Sequence, residues 1–510
     1  MPLTFPGPGA AAGLGYSIML PPEFEQRSYV PHLFPTPGDL RSHSWRSAMS
    51  QAVFTRGSTM RHVVVMTSAS AFGLLTMFGV DMVDMFFLTL LGEQELAAAV
   101  GYAGTLIFFV VAVSIGLQIA LGALVARYEG AFRRDIAGRF CTSSLVFNLL
   151  VSALLSGFAW FNLRALLQLL GASGVTLEYA VSYAGILLPS MPILVLGMSC
   201  AAAVRALGDA RRSMWATVGG SLVNAALDPL FIFTFGWGLE GAALASVVAR
   251  MVVFGIAWHA LVAVHCLPGR ISLQQFLADM GPILKIAGPA ILTNLATPIG
   301  GSFVLRTMSQ FGDSAVAGAA IMGRITPVAF AAVFALSGAV GPIIGQNAGA
   351  GLYDRVRSTL ASAMLFNGLY VAFVWLVLWL SADLIVRAFS ASDLAADIIL
   401  FYTHYLTGAF VFTGSLFVAN ATFNNLHHPH WATAFNFGRA LLGTIPAVYF
   451  GAKWFGARGV IAGEACGAII FGVLAMAAAF ALVRRLEREH RPMGEISPAE
   501  GLEVARESPV

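Results

Sequence analysis

Residues 97–122 read AAAVGYAGTLIFFVVAVSIGLQIALG, a stretch of 26 residues without a charged side chain. A transmembrane helix needs about 20 mostly apolar residues, because the hydrocarbon core of a bilayer is about 30 Å thick. Eleven other apolar stretches of suitable length occur along the chain, and we therefore predict an all-α polytopic membrane protein with twelve spans. These other stretches are 63–91, 140–163, 178–204, 213–236, 240–265, 284–311, 314–344, 359–385, 397–423, 430–451 and 456–483.

The composition of the whole chain argues against a water-soluble protein. Only 11% of the 510 residues are charged and 58% are hydrophobic, whereas soluble globular chains carry about 25% charged residues. The net charge of +3 is small and dispersed, which argues against a nucleic-acid partner. The four cysteines show no metal-ligand spacing, so we predict neither a metal site nor a cofactor.

Positive charges collect in the loops on one side of the predicted spans. By the positive-inside rule this side is cytoplasmic, and an even number of spans places both termini there. We therefore predict a multi-pass protein of the plasma (inner) membrane, embedded in the lipid bilayer as a monomer. The charges that indicate the side are Arg127, Arg133, Arg134, Arg139, Arg205, Arg211, Arg212, Arg270, Lys285, Arg355 and Arg357.

The two halves of the chain resemble each other at a nearly constant offset. Gly130 and Ala131 match Gly349 and Ala350 at an offset of 219 residues. Each half has an even number of spans, so the halves share their orientation and form a parallel repeat, as in many secondary transporters. The predicted parts are a cytoplasmic tail at 1–61, an N-lobe at 62–266, a linker at 267–283, a C-lobe at 284–484 and a second tail at 485–510. The other matches are Gly92 with Gly312, Trp215-Ala216-Thr217 with Trp431-Ala432-Thr433, and Gly241 with Gly459.

Polar side chains converge at one depth of the N-lobe. Three predicted spans contribute Asp84, Asp228 and Ser246, each six to eight residues from the outer end of its span. Asn224 lies one turn deeper, in the same span as Asp228. At about 1.5 Å per residue, this places the group roughly 10 to 15 Å below the outer surface. Asn224 and Asp228 are four residues apart and share a helix face. Their oxygen atoms suit a proton or a bare cation, and we predict a site for a coupling ion.

Two further charged residues near this group have alternative interpretations. Asp81 lies one turn before Asp84 and is either an additional coupling or substrate contact or a water-facing residue. Arg250 either takes part in the site or forms a structural ion pair with Asp228. The C-lobe positions that correspond to Asp84, Asn224 and Asp228 are apolar: Val304, Leu442 and Pro446. Since only one half carries the acids, a coupling site is favoured over a general structural role.

Weaker candidates lie in the C-lobe. Arg439 and Glu464 fall at similar depths of the neighbouring spans eleven and twelve, and we predict a structural ion pair between them rather than a substrate contact. His427, His428 and His430 lie beside Pro429 in a short loop, where a solvated loop is favoured over a metal site.

Several motifs resemble those of the multidrug and toxic compound extrusion (MATE) family, in particular its DinF-like branch. The resemblance covers about residues 62 to 484 and implies a two-lobed exporter of amphipathic, often cationic, organic compounds, driven by inward proton or sodium flow. It assigns cation-site roles to Asp84, Asn224 and Asp228, and a Thr of the family pattern is Ser246 here. Tyr183 resembles a cavity aromatic of the family, with core packing as the alternative. The motifs are Val83-Asp84, Leu91-Gly92, Leu96-Ala97-Ala98, 205–210 (RALGDA), 224–229 (NAALDP), 241–246 (GAALAS), Gly345-Gln346-Asn347 and Gly349-Ala350.

The chain departs from the family pattern in the first span. The family places a proline about fifteen residues before the acid, and this chain has Ala69 there, so a proline hinge in span one is not expected.

We predict an antiporter that exports small organic substrates in exchange for protons, with sodium coupling as the alternative. A flippase of lipid-linked sugars from the same wider superfamily is the nearest rival, and Arg306, Arg324 and Arg439 keep it open. An enzyme is not predicted, because the spans hold neither a Ser/His pairing nor spaced metal ligands. A channel is disfavoured because the acids belong to one half.

Overall fold

The structure is a computed structural model that describes residues 52–90, 94–391 and 393–490. Twelve long helices, which we number α1 to α12, account for most of these residues, and no strand occurs among them. The prediction of an all-α protein with twelve spans in two six-helix lobes is confirmed. Residues 1–51 and 491–510, which make up most of both predicted tails, lie outside the described residues.

Six helices form the N-lobe. The fourth is interrupted by a 3-10 turn at Leu188–Ser190, and the fifth and sixth each end in a π-helical turn, at Leu230–Thr234 and Ala260–Val264. The bounds are Thr59–Leu90 for α1, Gln94–Gly130 for α2, Arg134–Phe161 for α3, Gly174–Ala206 for α4, Ala210–Thr234 for α5 and Gly238–Val264 for α6.

Two irregularities interrupt the six helices of the C-lobe. The predicted span 314–344 is two helices, Asp313–Ala329 and Ala331–Gly349, which meet at Phe330 shortly after Pro327; together they form α8. The last helical stretch bends at Gly456, whose φ is 63°, and this bend separates α11 from α12. The bounds are Leu273–Met308 for α7, Tyr353–Leu380 for α9, Asp393–Asn425 for α10, 429–455 for α11 and 457–489 for α12.

Three predicted boundaries shift. Helix α1 begins at Thr59, so the structured chain starts before residue 62. Helix α7 begins at Leu273 inside the predicted linker, because Ser272 caps it: the Ser272 hydroxyl accepts from the Gln275 amide, and the Gln275 side chain accepts in return from the Ser272 amide. Helix α12 continues to Glu489, beyond the predicted start of the second tail.

The helices are long and apolar enough to cross a membrane. Eleven helical stretches meet this description, and one of them, Pro429–Glu489, contains both α11 and α12. Large apolar side chains on the outer helix faces are strongly exposed, including Leu154 and Phe161 at 73% and 81%. Because a soluble monomer rarely exposes such a continuous apolar surface, these faces fit contact with lipid.

The glycines at the ends of α2 and α8 show how the two lobes are related. A Cβ on Gly130 would lie 2.0 Å from the Gln346 carbonyl oxygen, and a Cβ on Gly349 would lie 2.0 Å from the Arg127 carbonyl oxygen. Gly130 and Gly349 are 219 residues apart, and so are Arg127 and Gln346. Such reciprocal contacts are the mark of a two-fold interface. The pseudo-two-fold axis therefore passes between these helix ends.

A short segment before α1 lies between the two lobes at this same end. Phe54, which is only 2% exposed, donates from its backbone N–H to Gln346 and accepts at its carbonyl from Asn347 and Arg355. The neighbouring Val53 packs on Gly208, in the loop between α4 and α5. The segment that the sequence places in a tail is thus part of the lobe junction.

Candidate functional site

The acid group of the N-lobe assembles around one amide. The Asn224 Nδ2 atom donates to Asp84 Oδ2 at 2.8 Å and to Asp228 Oδ2 at 2.7 Å. Asn224 and Asp228 are buried, at 6% and 1% exposure, whereas Asp84 is half-buried. The structure thus brings together three of the predicted site residues, from α1 and α5.

The local sequence of α5 explains this geometry. Asn224 and Asp228 are one helical turn apart, so both side chains leave the same face toward α1. Pro229 cannot donate to the preceding turn, and the helix continues from Leu230 as a π-helical turn. Such π turns often occur at functional sites.

One oxygen of each carboxylate has no hydrogen-bond partner in the part of the chain that the structure describes. Asp84 Oδ1 and Asp228 Oδ1 are both inaccessible to solvent and accept no hydrogen bond within the described residues. A buried polar atom without a partner costs free energy, and an ionised one costs more. The geometry therefore provides two acceptors for a proton or a small cation.

Arg250 forms its hydrogen bonds with α4 and not with Asp228. Its Nη1 atom donates to the Ser190 hydroxyl at 2.6 Å and to the Leu187 carbonyl at 2.9 Å, both at the 3-10 turn of α4. The proposed ion pair with Asp228 does not form. Ser246, one turn before Arg250 on α6, is half-buried and makes no side-chain hydrogen bond among the described residues. Arg250 therefore joins α6 to α4.

Asp81 and Tyr183 flank the group. Asp81 is exposed and lies close enough to Asp84 for the two carboxylates to repel each other. Tyr183 packs among apolar residues of α2, α4 and α6, within electrostatic range of Asp84, Asp228 and Arg250. Both residues are thus at the edge of the site without a direct hydrogen bond to it in the described chain.

The corresponding region of the C-lobe has a different chemistry. Val304, the repeat counterpart of Asp84, is buried in an apolar cluster with Met308 and Val448. Arg439 and Glu464 form no direct ion pair; both instead line a cavity of about 440 Å³. The cavity wall includes Tyr402 and Thr326, whose hydroxyls lie 3.2 Å apart. Sequence reasoning did not select these two residues, because hydroxyl side chains are common in spans and only the fold turns them toward the cavity.

The segment between α4 and α5 has a structural role outside the spans. Asp209 caps α5 by accepting from the Arg212 backbone N–H at 3.0 Å, and its second oxygen accepts from the Arg212 guanidinium at 2.5 Å and lies 3.0 Å from His265 Nε2. Burial disfavours the charged form of Asp209, but the hydrogen bonds from His265 and Arg212 outweigh it and hold the pKa of Asp209 well below its usual range. Asp209 is therefore an anchor of the α5 N-terminus.

The histidines near Pro429 lie at the N-terminus of α11. His427 and His430 are exposed, and the His428 ring contacts the Leu426 carbonyl. Over the described ranges, no group of three or more His, Cys, Asp or Glu side chains is placed to hold a metal ion.

Comparison with known proteins identifies the family. The family model MatE matches the chain twice, at residues 69–230 and 289–449, and these matches begin 220 residues apart, once in each lobe. The chain is 25% identical to a FAD transporter of Shewanella oneidensis over 79% of this chain and 90% of the relative. It is 23% identical to the probable multidrug resistance protein YpnP of Bacillus subtilis over 72% and 82%.

A solved structure supports the fold. The outward-facing conformation of a multidrug resistance MATE family transporter superposes with a TM-score of 0.80, covering 85% of this chain and 98% of that one at 22% identity. Members of the matched family are transporters and not enzymes. With both lobes matched separately and the two-lobed architecture reproduced, the chain belongs to the MatE family of multidrug efflux transporters.

Proposed function

We propose that this transporter is an antiporter that exports amphipathic, often cationic, organic compounds in exchange for protons. The observation that carries the proposal is the shared amide of Asn224, which holds two carboxylates side by side while one oxygen of each accepts no hydrogen bond from the described residues. Two adjacent carboxylates away from water repel each other. A proton that bridges or neutralises one of them removes this repulsion.

In the proposed coupling step, Asp84 and Asp228 act from different positions. Asp84 is near the end of α1 and half-buried, whereas Asp228 is buried on α5. A proton that binds between them favours a close approach of α1 and α5, and its loss favours their separation. Binding energy that differs between two states shifts the balance between them, which is how an ion gradient would drive export.

The movement that we propose is alternating access between the two lobes. The contact between Gly130 and Gln346, with its repeat partner between Gly349 and Arg127, closes the lobes at one end of the molecule. Opening this end would separate α2 from α8 around the pseudo-two-fold axis, as in other transporters with parallel repeats. We further propose that this end is cytoplasmic, that both termini lie there, and that the protein acts as a monomer in the plasma (inner) membrane.

Sodium is the alternative coupling ion. Carboxylate and amide oxygens also suit a hard monovalent cation, and the side-chain oxygens of Asp84, Asn224 and Asp228 are close together. A flippase of lipid-linked sugars is a weaker alternative, since Arg439 lines the C-lobe cavity but Arg306 and Arg324 do not.

Transport into proteoliposomes tests the proposal. A proton gradient and a sodium gradient are imposed separately, with a panel of cationic dyes and with FAD, which the name of the Shewanella relative suggests. We expect dye movement under the proton gradient and its loss in Asp84→Asn. Asp383→Asn, an exposed acid in a short connecting helix, is the matched control and should keep wild-type transport. Equal transport by both variants, or movement under the sodium gradient alone, would contradict proton coupling at this site.

A further inference from the structure

The C-lobe cavity is large enough for an organic molecule and has an aromatic wall. Its volume is about 440 Å³, within the range of about 300 to 1,000 Å³ that is usual for small-molecule sites. Phe334 contacts Phe410 and Phe417 at ring-centroid distances of 5.8 and 5.6 Å, and all three rings line the cavity. One side of the cavity therefore suits a flat apolar group.

Two opposite charges face the same cavity without pairing directly. Arg439 and Glu464 interact electrostatically, yet neither forms a hydrogen bond or a close ion pair within the described part of the chain. Both are half-buried, and both also line an adjoining smaller cavity of about 70 Å³. An ion pair that served only to hold α11 against α12 would be expected to close. These charged groups are instead available to bind a molecule in the cavity.

The backbone at the cavity wall is irregular at two places. Arg439 lies in the π-helical stretch Gly438–Thr444 of α11, and Tyr402 lies in the π-helical turn Tyr402–Leu406 of α10. π turns are rare within α-helices and often occur at functional sites. Here each turn supplies a polar side chain to one cavity.

We propose that the C-lobe cavity binds an aromatic zwitterion whose carboxylate meets Arg439 and whose ammonium group meets Glu464. A guanidinium binds a carboxylate through charge-assisted hydrogen bonds, and a carboxylate binds an ammonium group in the same way. An α-amino acid carries both charges on one carbon, so it fits between two protein charges that are near each other but not in contact. The aromatic part of the molecule packs on Phe334, Phe410 and Phe417.

This inference names a substrate class for the exporter proposed above and so rests on that function for its biological meaning. Its binding step is independent, since the cavity lies in the C-lobe and the coupling acids lie in the N-lobe. Binding to the cavity is therefore measured apart from gradient-driven transport.

The test uses ε-dansyl-L-lysine, a fluorescent aromatic zwitterion, with the purified full-length protein in nanodiscs. Its methyl ester keeps only the ammonium charge, and its Nα-acetyl derivative keeps only the carboxylate. We expect saturable enhancement of dansyl fluorescence, with the parent compound binding at least about 10-fold more tightly than either derivative. In Arg439→Gln the parent and the ester should bind alike, and in Glu464→Gln the parent and the acetyl derivative should bind alike.

The controls separate binding from folding and from coupling. Arg458→Gln removes an exposed cation that pairs with Asp397 and does not line the cavity, so it should bind the parent compound as the wild type does. Melting temperatures identify variants that do not fold, and in that case Arg439→Lys, which keeps the charge, replaces Arg439→Gln with a smaller expected loss. Equal binding of all three compounds by the wild type, or unchanged selectivity in both charge variants, would overturn the inference.

The transport readout shows which proposal fails. If selective binding is observed but no gradient moves the parent compound, the proposed antiport is wrong and the binding site stands. If Asp84→Asn abolishes gradient-driven dye export while the selectivity of the cavity is unaffected by Arg439→Gln and Glu464→Gln, the binding site is wrong and the antiport stands.

Discussion

The contact between the ends of α2 and α8 yields the sharpest prediction from the structure. In Gly130→Ala, the new methyl group would lie 2.0 Å from the Gln346 carbonyl oxygen and 2.5 Å from its Cα atom. Ordinary van der Waals contact begins at about 3.4 Å. Because both neighbours are backbone atoms of a helix, no side chain can rotate away, and the two helices must separate by about 1.4 Å.

The cost of this separation falls on one conformation only. Overpacking of a tight contact costs about 1 to 3 kcal/mol. In the alternating-access model, the state that is open at this end does not make the contact and is unaffected. A difference of this size shifts the ratio of open to closed molecules by about 5- to 150-fold toward the open state. The double variant with Gly349→Ala should show less than twice the effect, because the first methyl group already separates the helices.

Spin labels on the two lobes measure this shift. Asp135 and Asp354 are both exposed, lie in the first turns of α3 and α9, and are repeat counterparts 219 residues apart. With cysteines at these positions, and Ser in place of Cys266 and Cys466, double electron-electron resonance gives the distribution of distances between the lobes. We expect the wild type to populate mainly the short distance and Gly130→Ala to add a longer one.

Gly122→Ala is the matched control. Gly122 lies in the same helix, two turns before Gly130, and nothing is within 4 Å of the Cβ that it would acquire. This variant should keep the wild-type distance distribution and a wild-type melting temperature. If Gly130→Ala and Gly122→Ala give the same distribution, the contact does not control the lobes and the reasoning is refuted.

Three further predictions follow from other contacts. Asn224→Leu removes the amide that donates to both Asp84 and Asp228, so gradient-driven dye transport should fall at least about 10-fold while the purified protein remains folded; retained transport would show that the amide is dispensable. Phe54→Ala should lower the melting temperature in line with a loss of about 3 to 5 kcal/mol, whereas Val53→Ala, at a position that is 45% exposed, should have a small effect. The carboxyl of Asp209 has a lowered pKa, so its stabilising contribution is present above its usual pKa of 3.8 and is lost as the pH falls below it. The melting temperature of the wild type should therefore decrease more steeply below about pH 4 than that of Asp209→Asn, and parallel curves would contradict this assignment.

The sequence predicts the architecture of this protein well, because the physics of a bilayer leaves few alternatives. Backbone groups in lipid must be satisfied within a helix, so a long apolar stretch indicates its own secondary structure. The few acids in these stretches are costly there, and two of them, Asp84 and Asp228, come together around Asn224. The spacing of Asn224 and Asp228 already places them on one helix face.

Boundaries and breaks are less predictable. The hydropathy of the stretch 314–344 does not reveal the split of α8 at Phe330, whereas the bend at Gly456 falls where the sequence predicts one span to end and the next to begin. Phe54 precedes the first apolar stretch and follows a polar segment rich in proline, so its burial between the lobes had no local signal.

What the sequence alone determined is the number of spans, their division into two repeats, and the absence of acids at the C-lobe counterparts of Asp84 and Asp228. These features follow from composition, periodicity and offset, which are properties of the chain itself. Only the tertiary structure decided which polar groups meet. Arg250 joins Ser190 instead of Asp228, and Arg439 and Glu464 face a cavity instead of each other. The reason is physical: depth along a helix can be counted from sequence, but the direction of a side chain around the helix axis is fixed by packing against neighbouring helices.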